Sequence, residues 1–222
     1  MLALDHRIRL RKELRRYIAY TLLGIYVTAM QQYGSHVSGS LAEGSASIHT
    51  AIDSLFGMMQ CATVMLVMHH GGHAPKKEHL LRGLLGLGSA AILACVVMHI
   101  SHEALERMHS RCSLVPARMA LFTGCALLGN MGQLALFLRH RNQTEKTSYF
   151  HGLIDLAQNM GLLAVAFALM RNPTENIALI DAAATLVILS GIGILISYLL
   201  YRAIGILSGR IHPETDSACS HP

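Results

Sequence analysis

Six long apolar stretches divide the chain, and short polar or basic links separate them. They run from about Tyr17 to Tyr33, Leu41 to His69, Leu80 to His102, Met119 to Leu138, Phe150 to Met170 and Ile177 to Tyr201. A helix crosses the hydrocarbon core of a bilayer with roughly 17–25 mostly apolar residues. The stretches near Leu121–Leu138 and Ala178–Leu200 lack the polar face that a helix of a soluble bundle keeps at helical period. The pattern predicts an all-α membrane protein of six transmembrane helices, multi-pass, in a bacterial inner membrane or another cell or organelle membrane. Gly34 to Gly39 reads as the turn between the first two helices, and Glu103 to Pro116 as the link after the third.

Composition agrees with this pattern. The chain of 222 residues is 52% hydrophobic and 14% charged, against roughly 25% charged in a soluble domain. The net charge of +5 does not argue for nucleic acid, because the basic residues are unevenly placed. Six of them lie in Met1–Arg16, interleaved with Leu and Ile, as expected of a flank resting on anionic headgroups. With six spans, fourteen of the eighteen Lys and Arg fall on the side of the two termini, so both termini are expected to be cytoplasmic. The expected division is a basic flank over 1–16, a transport domain over 17–207 and a disordered tail over 208–222. The basic segment runs straight into the first span, which predicts no cleaved leader. The five cysteines include no C-x-x-C spacing and imply no disulfide framework.

Four ionisable residues interrupt the apolar runs in a repeated way. His49 and Asp53 stand four residues apart in the second run, and His151 and Asp155 repeat the spacing in the fifth. Positions i and i+4 share a helix face. A carboxylate at the centre of a spanning helix costs about 2.5–3.5 kcal/mol on insertion scales, so such residues are functional hypotheses by default. Two imidazoles and two carboxylates make a four-coordinate N/O site for a divalent cation. Zn2+ is the leading expectation, with Co2+, Fe2+, Mn2+, Ni2+ and Cd2+ admitted by the same ligands. Ser45, Asn130, Gln133 and Asn159 are candidates to support the ligands or line a path. His69, His70, His73 and His79 follow the second run and are candidates to capture metal at the membrane surface. Met58, Met59, Met65 and Met68 in the same run suit packing better than copper(I).

The segment Gly39-Ser-Leu-Ala-Glu-Gly-Ser-Ala-Ser-Ile-His-Thr-Ala-Ile-Asp53 resembles the second-helix signature of the cation diffusion facilitators, roughly G-S-L-A-x-x-A-D-A-x-H-x-x-x-D. His151-Gly-Leu-Ile-Asp155 with Gly161 is similar to their fifth-helix motif, Glu103-Ala-Leu-Glu-Arg107 to the end of their third helix, and Asp181-Ala-Ala-Ala-Thr-Leu to the start of their sixth. The resemblance covers about Arg15 to Leu207. It implies a proton-coupled exporter of divalent metal with His49, Asp53, His151 and Asp155 as ligands, and the helix-two His is associated with zinc. There are departures. Ala46 and Ala182 stand where Asp and Pro are common in the family, and the loop motif is degraded to Ala74–Arg82. The family usually continues into a cytoplasmic metal-binding domain; here about fifteen residues follow the transport domain that ends at Leu207, so a membrane part alone is expected. A homodimer would then form through the membrane, with Gly83, Gly86 and Gly88 offering a close-packing face.

The function expected is efflux of a divalent cation against protons, and not enzyme catalysis. Two alternatives stay open: a metal sensor or partner subunit that does not itself transport, and an intramembrane zinc hydrolase. The hydrolase would keep an open coordination position.

Overall fold

A computed structural model describes residues 2–69, 75–108, 113–138, 143–171 and 176–208. Six helices account for nearly all of them: α1 (Leu2–Ser38), α2 (Leu41–His69), α3 (Pro75–Arg107), α4 (Pro116–Leu136), α5 (Gln143–Arg171) and α6 (Ile177–Leu207). No strand occurs among the described residues. The chain is therefore all-α, with α4, the Gly152–Arg171 part of α5 and the Ile177–Gly205 part of α6 long and apolar enough to cross a membrane. The tail expected to be disordered lies outside the described residues after 208.

Several helix ends differ from the expectation. The basic flank is not separate, since α1 begins at Leu2 and continues unbroken. Its Leu, Arg, Lys and Glu residues are good helix formers, and no Gly or Pro precedes the span. The turn expected over Gly34–Gly39 contracts to Gly39–Ser40, because Gly34 is buried where α1 packs closely on Glu43 of α2 and Phe122 of α4, and the helix continues past it. α3 likewise runs through Glu103 to Arg107. α3 and α4 both start at a proline, which suits the first helical position.

The helices form two groups. α1 packs along α2 and α4, α4 packs along α5, and α2 closes the ring by touching α5 over a short stretch. α3 and α6 pair with each other and meet the rest mainly through α2. That seam is apolar: Leu41 and Ile52 of α2 lie against Ala90, Leu93 and Ile100 of α3 and Leu189, Ile192 and Ile196 of α6. Polarity is inverted relative to a soluble bundle. Val187, Ile194 and Tyr201 are more than 70% exposed, whereas Gln31, Glu43, Asn130 and Asn159 are at most 1% exposed.

One corner ties the two groups together. Gly39 has φ +77, a conformation open to glycine at little cost. A Cβ there would also come within 2.7 Å of the Ser113 carbonyl oxygen. Around this turn, the last carbonyls of α1 find donors: Ser35 from Gly39 N–H, Ser38 from Val115 N–H at 2.8 Å, and Val37 from Arg118 at 3.1 Å. Arg107, at the end of α3, donates to the Gly39 carbonyl at 2.9 Å and pairs with Glu103 at 3.2 Å. From α6, Asp181 accepts from Ser40 Oγ at 2.6 Å, Leu41 N–H at 2.7 Å and Ala42 N–H at 3.4 Å. The first amides of a helix have no partner inside the helix, and here a carboxylate from a distant helix supplies it. These contacts also fix the relative directions: α1 and α3 end where α2, α4 and α6 begin.

Candidate metal centre

The first half of α2 buries a polar face. Ser45, Ser47, His49, Thr50, Asp53 and Ser54 are each at most 5% exposed. α1 lies close enough to cover this face because Gly24 has no side chain: a Cβ there would overlap the Ser54 hydroxyl. From α5, Asp155 reaches the same region and is itself 4% exposed.

The geometry is convergent. His49 Nε2 lies 3.5 Å from Asp53 Oδ2 and 3.3 Å from Asp155 Oδ1. One ligand atom from each of the three residues falls within 4.8 Å of the others, and all three residues are buried. A single imidazole nitrogen therefore faces two carboxylates on different helices. Two carboxylates this close repel each other in a low-dielectric interior. A divalent cation would compensate both charges, and the imidazole would complete an N/O set suited to Zn2+ and its neighbours. His151 lies on α5 one turn before Asp155; its side chain is outside the described residues. The structure thus brings together three of the four expected ligands.

The supporting candidates divide. Ser45 donates to the Ala42 carbonyl of its own helix at 2.8 Å. Asn159 accepts from Gln31 Nε2 at 2.9 Å, and Gln31 Oε1 accepts from Thr50 at 3.0 Å. Gln31 so links α1, α2 and α5 one residue from His49. Gln133 donates to the Tyr20 carbonyl at 3.1 Å. Asn130 is fully buried. Of the capture histidines, His70 and His73 lie outside the described residues, as do the side chains of His69 at the end of α2 and His79 on α3. Met58 and Met65 face outward, about half exposed, so the methionines of α2 do not converge. Gly88 of α3 is open, with no atom within 4 Å of a built Cβ; Gly83 and Gly86 lie where side-chain surroundings are not described.

Three further buried residues are not singled out by the sequence reading. Gln31 carried no spacing signal. Tyr20, buried on α1, offers its carbonyl to Gln133 of α4 at 3.1 Å. Glu43 is fully buried and accepts from Ser38 Oγ at 3.1 Å and Thr123 Oγ1 at 3.2 Å. A signal for Glu43 did exist, since Ser40-x-x-Glu43 is a capping-box spacing. Half of that box forms, with Glu43 N–H donating to Ser40 Oγ at 3.1 Å. Comparison with protein-family models and with curated proteins gives no match for this chain.

Proposed function

We propose that this protein is a six-span membrane transporter, with both termini cytoplasmic, that exports a divalent cation in exchange for protons. Zn2+ is the preferred cargo. The observation that carries the reading is the buried meeting of His49 and Asp53 on α2 with Asp155 on α5. His151, one turn from Asp155, is the fourth ligand. The resemblance of the α2 and α5 motifs to the cation diffusion facilitators supports the same cargo and coupling.

Binding requires neutral imidazole and ionised carboxylates, so a cation entering the site displaces protons. With an ordinary pKa of about 6.5, histidine exchanges protons readily at physiological pH. Metal and protons then occupy the site in turn as the two helix groups rock about it. The α3 and α6 pair supplies none of the proposed ligands and serves as the moving wall.

The test is flux. Purified protein in liposomes with an internal zinc dye is given a pH gradient, and wild type is compared with an Asp53→Ala/Asp155→Ala double variant. Uptake that follows the gradient and vanishes in the variant is expected. Zinc bound in equilibrium dialysis without any flux would sink the transport reading and leave a sensor or partner subunit.

A further inference from the structure

Asn130 on α4 is 0% exposed, and neither its Oδ1 nor its Nδ2 has a hydrogen-bond partner. Leaving a buried polar atom unmatched costs about 1–3 kcal/mol, so a fully buried carboxamide with both ends unmatched requires an explanation. Three residues on, Gln133 uses its amide N–H on Tyr20 but leaves Oε1 unmatched as well.

Helix register shows where these groups lie. α2 and α4 start at the same end of the bundle, where Thr123 donates to Glu43 at 3.2 Å. Seven residues further along each helix, about two turns, stand Asn130 and Thr50, the neighbour of His49. One turn beyond, Ser54 and Gln133 both crowd the place where a side chain at Gly24 would be. Thr123, Asn130 and Gln133 share the buried face of α4. Asn130 therefore sits at the depth of His49 and Asp53, on the face turned to the interior of the four-helix group.

We propose that Asn130 Oδ1 is an oxygen donor to the divalent cation held by His49, Asp53 and Asp155, making α4 a third ligand-bearing helix. The proposal rests on reading that triad as a metal site. A carboxamide suits the task because it adds a hard oxygen without a third negative charge in a place where two already repel. As a hard donor, it biases the site toward cations that prefer oxygen, such as Mn2+, over softer Cd2+.

The experiment uses the full chain in detergent, with Zn2+, Mn2+, Cd2+ and Co2+ as probes. Asn130→Leu is expected to weaken Zn2+ binding ten-fold or more, by analogy with other groups that support a metal. It should weaken Mn2+ more than Cd2+ and change the visible spectrum of bound Co2+. Asn130→Asp retains the oxygen and adds charge, so it should bind Zn2+ more tightly than wild type. It also serves as the test if the leucine variant does not fold. Unchanged Zn2+ affinity in the folded variants, with binding lost in Asp155→Asn, overturns the role of Asn130 and leaves the triad standing. Absence of binding in the wild type overturns both.

Discussion

Two sets of buried carboxylates lie on the same helix system and meet opposite surroundings. At the corner, Asp181 receives one hydroxyl and two backbone amides, and Glu43 receives two hydroxyls. In the centre, Asp53 and Asp155 converge on one imidazole nitrogen at 3.5 and 3.3 Å. A buried carboxyl group ringed by donors is a structural element, because its oxygens find partners within the fold. Carboxylates drawn toward each other around a single nitrogen are matched best by a cation. Burial and residue type are alike in the two places; what separates them is that the corner carboxyl groups face the start of a helix and its hydroxyls, whereas the central pair faces one shared imidazole nitrogen.

Mutation can break this comparison. The largest effect is expected at the centre. Asp155→Ala should lower Zn2+ uptake by liposomes about 100-fold or more while the unfolding midpoint in detergent stays level or rises, since one of two crowded charges is gone. A large fall in the midpoint would make Asp155 structural instead. Asp181→Ala should do the reverse. It strips a helix cap and strands two amides, costing about 2–3 kcal/mol in unfolding experiments, with Zn2+ affinity retained. Asp181→Asn, which keeps one acceptor oxygen, should cost less. Gly39→Ala forces a Cβ into a left-handed position against Ser113, and about 1–2 kcal/mol of destabilisation is expected. The smallest change should come from Thr50→Val, which removes the donor to Gln31. That variant should lose about 1 kcal/mol of stability, and Zn2+ affinity measured by dialysis should shift by only a few fold.

The number of helices and the His-Asp pairs could be read from the chain because both are local patterns. Hydropathy over about twenty residues marks a helix, and a four-residue spacing marks one face. Helix ends were harder to place: Gly34 and Glu103 look like punctuation in the sequence but sit within packed helices. Roles that depend on a partner far along the chain were hidden. Arg107 was visible only as part of a motif, and its hold on the Gly39 carbonyl needs a turn 68 residues earlier. Asp181 was noted only as the start of the sixth run, since no local pattern shows that a cap is wanted on α2. Gln31 belongs to the same class, as its partners lie 19 and 128 residues away.

The Asp181 cap also sets an order of events during synthesis. α1 and α2 share an extensive contact and can pair as soon as both have emerged. Yet the Leu41 and Ala42 amides wait for an acceptor that follows 140 and 139 residues later. At about 5–20 residues per second, that delay is roughly 7–30 s. Until then, Ser40 and Ser38 can close only their local bonds. α6, made after the five helices before it, thus completes the turn between α1 and α2, and a chain cut short after α5 would leave that turn unfinished.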